Sequence, residues 1–146
     1  SIISIHLPRI LSGTLQSAET AFKRIQKANI TTIDSLSISG GQGLIVAYAA
    51  EAAKQNYTRD EIISLIQEII PKTKIYAGVY DLSYAVKGGR IPKYVKIISD
   101  KLKITPILSI DGDGKMKPGG AFWGKSKFAT RMANAIMKKM NSEKNE

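Results

Sequence analysis

The chain has 146 residues, an apolar fraction of 43% and a formal net charge of +10. That length can bury a real core, and the basic excess favours an anionic partner such as a nucleic acid, an anionic membrane or an acidic protein. The absence of cysteine excludes disulfides and thiolate metal sites and suits a cytoplasmic setting, and no apolar run is long enough for a signal peptide or a membrane span.

The chain begins at Ser1, and Ile2-Ile3-Ser4-Ile5 already reads as a buried strand. It is therefore expected to be an internal fragment of a longer protein. Ser12 to Ala28 is predicted to be an amphipathic helix, with Leu15, Ala18, Phe22 and Ile25 on one face. Ile30-Thr31-Thr32-Ile33 is a short β-branched strand ending at Asp34-Ser35. A Gly-rich stretch, Leu36 to Gly43, precedes a helix from about Leu44 to Lys54. That helix is apolar on nearly all sides and is expected to be well buried. Thr58-Arg59-Asp60-Glu61 is a capping box opening a helix to about Ile70. Its core stripe is Ile62, Leu65, Ile66 and Ile69, and Pro71 ends it. Strands alternating with helices imply a mostly parallel sheet.

The rhythm changes after Pro71. Lys74 to Tyr80 alternates as a strand. Asp81 caps a short helix, Leu82 to Val86, which Gly88-Gly89 stops with one glycine at positive φ. Pro92 starts a helix reaching Leu102. Ile104 to Ile110 is a strand, Asp111-Gly112-Asp113-Gly114 is a tight turn, and Lys115 to Phe122 returns as the hairpin partner. Ser126 to Met140 is the last helix, with Phe128, Met132, Ile136 and Met140 in one row, and the tail from Asn141 is polar. The expected organisation is an α/β domain over 1–72 and part of a second α/β domain over 73–146.

Ser12-Gly13-Thr14 stands where a strand passes through a small-residue turn into a helix. Open amides and the helix dipole make such a place suited to an anion. Ser12 can also be no more than a helix cap. Arg90 offers a planar charged fork for a carboxylate, or is simply an exposed arginine after a turn.

Leu11-Ser12-Gly13-Thr14-Leu15-Gln16-Ser17-Ala18, Ile33-Asp34-Ser35, Gly41-Gln42-Gly43-Leu44 and Gly88-Gly89-Arg90-Ile91 resemble the DegV family in order and spacing. Ile104-Thr105-Pro106-Ile107-Leu108 with its Asp-Gly turn is similar too. The resemblance implies a bacterial, cytoplasmic fatty-acid-binding protein. Its expected fold is a parallel-sheet α/β unit followed by part of a second, mixed-sheet α/β domain. It implies no catalysis by this chain, since a separate fatty acid kinase phosphorylates the bound acid. Carried over by position, Ser12 with Gly13 and Thr14 receives the carboxylate of a long-chain fatty acid, and Arg90 lies near that head group. The family's upstream threonine motif and downstream histidine motif have no counterpart here. For Ser12 and Arg90 to meet one carboxylate, the site must lie where two α/β units face each other.

Other patterns are weighed against this. Gly119-Gly120-Ala121-Phe122-Trp123-Gly124-Lys125-Ser126 fits the letters of a P-loop, but its context reads as a hairpin strand with Phe122 or Trp123 on the core. Asp111 to Gly114 lacks the distal Glu of a calcium loop and reads as a turn. Asp34-Ser35 ends a strand and caps the next segment. His6 reads as a lone strand-end or loop residue without a role. No metal site and no cofactor are expected. The rival function is nucleic-acid binding by Lys125, Lys127, Arg131, Lys138 and Lys139 on the last helix.

Overall fold

The β-branched runs at the start of the chain pair with each other. Strands β1 (Ile2–His6) and β2 (Ile30–Asp34) are parallel, with Ile3 opposite Thr31, Ile5 opposite Ile33 and His6 opposite Asp34. A parallel pair requires a crossover, and helix α1 (Thr14–Phe22) lies in that connection. The computed structural model describes residues 1–25, 29–124 and 126–143. The expected end of the first helix at Ala28 falls outside them.

Helix α2 (Ser39–Lys54) starts five residues before the expected Leu44. The glycines read as a loop form its first turns. Gly41 accounts for part of this, because a Cβ there would stand 2.1 Å from the Ser37 hydroxyl oxygen. Only one stripe of α2 is buried: Gly41, Ile45, Ala49 and Ala52. Leu44, Val46 and Tyr48 are 49%, 43% and 51% exposed, so the expectation of burial on all sides is corrected. An all-round apolar sequence states what a helix tolerates, while the packed stripe is set by its neighbours.

Helix α3 (Arg59–Ile69) begins with the expected reciprocal cap, and a short 3-10 turn (Ile70–Lys72) follows it around Pro71. Ile45, Ala49, Ala52, Ile62 and Ile66 form the core between α2 and α3, and Ile3, Ile5, Ile33, Leu65 and Ile69 pack against it. The alternate residues Ile3 and Ile5 share one face of their strand, which is how β1 contributes to that core.

The remaining elements are β3 (Tyr76–Gly78), α4 (Ser83–Lys87), α5 (Lys93–Leu102), β4 (Ile104–Ile110), β5 (Met116–Trp123) and α6 (Phe128–Glu143). The last three strands form a sheet in the order β3–β4–β5. β3 is shorter than the alternating stretch predicts. The Asp111 amide donates to the Lys115 carbonyl at 2.9 Å, closing the β4–β5 hairpin. The chain divides into two compact units, one of residues 1–76 with 109–117 and one of 77–108 with 118–146. In the second, Leu82, Ile91, Ile107, Leu108 and Phe128 are buried. The Phe128 ring meets Tyr80 at 5.3 Å and Phe122 edge-on at 5.7 Å.

Candidate functional site

Because β1 and β2 are parallel and in register, their carboxyl ends lie side by side. The connections leaving those ends are where open α/β sheets place ligands. One connection carries Pro8 to Gly13. The Leu11 and Ser12 amides both donate to the Pro8 carbonyl, at 2.9 and 3.0 Å, which curls the segment into a turn. The N-cap of α1 is Gly13 rather than Ser12, a correction to the capping expectation. Ser12 still serves the first turn: its Oγ accepts from the Thr14 amide at 3.3 Å and donates to the Thr14 hydroxyl at 3.2 Å. Both bonds are at the long end of the range. Gly13 and Thr14 are exposed. Ser12, Gly13 and Thr14 thus stand at the N-terminus of α1, where the helix dipole favours an anion.

An open groove of about 470 Å³ starts at Gly13 and follows one side of α1 past Gln16, Ser17, Thr20, Ala21 and Arg24.

The second connection, after β2, is held by Asp34. One carboxylate oxygen accepts from the Arg9 amide at 3.0 Å and the other from the Leu36 amide at 2.9 Å. Asp34 therefore ties the two strand-end connections to each other. The Arg9 guanidinium also grips Glu19 of α1 through two bonds, at 2.9 and 2.6 Å. The hydrogen bond from Arg9 holds the Glu19 carboxyl below its usual range. The role of Asp34 toward the Arg9 amide is not legible in the sequence, because it joins residues 25 positions apart.

Arg90 belongs to the second unit. It follows α4, where its amide donates to the Ala85 carbonyl at 3.0 Å and its guanidinium to the Gly88 carbonyl at 2.6 Å. Gly89, at φ +75°, is the expected positive-φ glycine. The Arg90 side chain is exposed.

The other patterns resolve as turns and strands. Gly119 to Trp123 lies in β5, with Phe122 on the Phe128 ring and Trp123 exposed, so this segment is no phosphate-binding loop. Lys125, which belonged to that pattern and to the basic face of the last helix, lies outside the described residues. Arg131 of that face stacks on Phe122 at 4.6 Å and donates to the Trp123 carbonyl, which leaves it committed within its own unit. Asp111 accepts from the Asp113 and Lys115 amides and so organises its turn. His6 bonds to Ser4 across 2.7 Å. Among the described residues no group of three or more His, Cys, Asp or Glu could hold a metal ion, and no helix is long and apolar enough to cross a membrane.

Fold and site together define an α/β chain of two units with an anion-suited turn at the carboxyl ends of parallel strands. Residues 1–146 match the family model described as an uncharacterised protein of the DegV family, and the chain belongs to that family. It is similar to a DegV domain-containing protein of Staphylococcus aureus, 37% identical over 116 residues that make up 80% of this chain and 41% of that one. Among solved structures it is similar to a fatty acid binding DegV family protein from Streptococcus agalactiae, at 27% identity and TM-score 0.74, covering 95% of this chain and 50% of that one. It is also similar to a Thermotoga maritima protein described as revealing fatty acid binding function, at 26% identity and TM-score 0.76, covering 97% and 47%. The architecture is accordingly DegV-like: a parallel α/β unit followed by the β3–β4–β5 sheet with its helices. The chain spans 41–50% of the curated relatives it matches.

Proposed function

We propose that the protein of which this chain forms at least a part is a fatty-acid carrier that acts without catalysing a reaction itself. In this reading Ser12, Gly13 and Thr14 receive the carboxylate of a long-chain fatty acid. The observation that carries it is the turn at Ser12, which lies in the connection leaving β1 at the N-terminus of α1, a place that suits a carboxylate. The described binding of fatty acid by the Streptococcus and Thermotoga relatives supports the same ligand. Arg90 contributes a charged fork toward the head group. The acyl chain supplies most of the affinity, at about 0.8 kcal/mol for each buried methylene. The carrier presents its cargo to a separate fatty acid kinase in the bacterial cytoplasm.

Native mass spectrometry of the full-length protein, followed by solvent extraction, tests the reading. A stoichiometric long-chain fatty acid is expected. A protein that carries no acyl ligand and gives no saturable titration with palmitate would overturn it.

A further inference from the structure

Within the first unit, the turn that carries Ser12 is held from two directions. From the strand end, the Asp34 carboxylate accepts from the Arg9 and Leu36 amides, one on each connection. From the other direction comes the tip of the β4–β5 hairpin. A Cβ on Gly114 would stand 2.8 Å from Cβ of Pro8 and 3.3 Å from Cδ2 of Leu36, so the hairpin tip lies beside both connections with no room for a side chain between them. Gly114 has φ +80°, and its tip is stiffened by Asp111, which accepts from two of the turn's amides.

The same two residues, Pro8 and Leu36, are the ones whose placement matters. The Pro8 carbonyl receives the Ser12 amide, and Pro8 is among the fully buried side chains. Leu36 has φ +47°, a conformation that a bulky residue holds only when its surroundings impose it. Asp34 and the hairpin tip impose it.

We propose that Asp34 and Gly114 are positioning residues that fix the Ser12 turn in its ligand-ready geometry. This rests on the carboxylate role given to Ser12 above. Neither residue touches the ligand. Asp34 acts through the Arg9 and Leu36 amides, and Gly114 acts through Pro8. Any substitution at 114 meets both the crowding and the positive φ.

The test compares palmitate with its methyl ester in the full-length protein, using wild type, Asp34→Ala, Asp34→Asn, Gly114→Ala, Ser12→Ala and the double variant Ser12→Ala/Asp34→Ala. Hydrogen exchange of residues 8–14 and 34–38 is followed in the same proteins without ligand. Asp34→Ala and Gly114→Ala should speed exchange in both segments and weaken palmitate about threefold or more, as expected of coupled neighbours. Their effect on the ester should be much smaller. Asp34→Asn, which keeps one acceptor oxygen, should fall between wild type and Asp34→Ala. In the Ser12→Ala background, Asp34→Ala should add little. If Ser12→Ala weakens palmitate while Asp34→Ala and Gly114→Ala leave it unchanged, or if acid and ester weaken equally, the positioning role is wrong. If Ser12→Ala itself has no effect on palmitate, the head-group assignment fails instead. Should Gly114→Ala fail to fold, the two Asp34 variants decide alone.

Discussion

Replacing Ser12 by Ala separates a ligand contact from a helix cap. The N-cap is Gly13, and among the described residues the Ser12 hydroxyl bonds to Thr14 alone, at 3.2 and 3.3 Å. Losing a true serine cap costs about 0.5–2 kcal/mol of stability. Here the loss should fall at or below the bottom of that range, because the bonds are long and the capping position is occupied by its neighbour. A hydrogen bond to a charged group contributes about 1.5–3 kcal/mol. If Ser12 meets the carboxylate, Ser12→Ala should weaken fatty-acid binding about tenfold to a hundredfold. Two measurements on the full-length protein suffice: palmitate affinity by calorimetry, and stability by urea unfolding without ligand. The methyl ester is the internal control. It should bind wild type worse than the acid and lose little more on the substitution. A drop in stability with no change in palmitate affinity would make Ser12 a cap only. Equal losses for acid and ester would likewise refute the head-group role.

Three further outcomes are expected. Arg90→Lys keeps the charge but loses the planar fork, so formation of acyl phosphate by the kinase should fall at least as far as palmitate affinity; wild-type values for both would remove Arg90 from the site. Ile66 is completely buried in the α2–α3 core, and Ile66→Ala should cost about 2–5 kcal/mol in chemical unfolding; a loss below about 1 kcal/mol would contradict the core described. The Thr58 amide and hydroxyl hold the Glu61 carboxyl below its usual range. Its contribution to stability is therefore complete above the unfolded value of about 4.3 and is lost as pH falls through the lower folded value. Wild-type stability should drop more steeply than that of Glu61→Gln below that pH, and identical acid profiles would show that the pairing is not formed.

How much of the fold is legible in the sequence depends on how local each signal is. The Thr58 capping box, the Asp111–Gly114 turn, the stop at Gly88-Gly89 and the start after Pro92 all act within a few residues, and each is found where the pattern puts it. The start of α2 is misplaced because glycine propensity argues against a helix, whereas a Cβ at 41 would meet not only the Ser37 hydroxyl oxygen but also, at 3.4 Å, the methyl of Thr73, a neighbour no local pattern shows. The burial of α2 is overestimated for a related reason: Leu44 and Tyr48 show what the helix is made of, not which neighbours it meets. Ser12-Gly13-Thr14 is visible as a motif because a turn before a helix is local. Its support is not visible, since Asp34 and Gly114 reach it from 22 and 102 positions away along the chain.

In the proposed reading the protein must grip a carboxylate and also give it up, and the bonds around Ser12 fall into two sets that suit those tasks. The frame consists of the Asp34 bonds to the Arg9 and Leu36 amides, at 3.0 and 2.9 Å, and the Pro8 carbonyl bonds to Leu11 and Ser12, at 2.9 and 3.0 Å. None of these uses the Ser12 hydroxyl. The bonds that do, to Thr14, are the longest of the group at 3.2 and 3.3 Å. In that reading an arriving carboxylate would displace the weak bonds and leave the short ones standing, and its departure would restore the weak ones. The hydroxyl avoids the penalty of an unsatisfied polar group in either state. In the proposed reading the Ser12 turn meets only the carboxylate, and the methylene chain is held by other, apolar side chains. Head-group orientation and tail affinity then rest on different residues. Substitutions at Ser12 should change discrimination between acid and ester without changing the dependence of affinity on chain length, and a series of acids from twelve to eighteen carbons on wild type and Ser12→Ala would show it. Parallel lines of affinity against length are expected at about 0.8 kcal/mol per methylene. Lines that converge as the chain lengthens would mean that Ser12 also shapes the tail site.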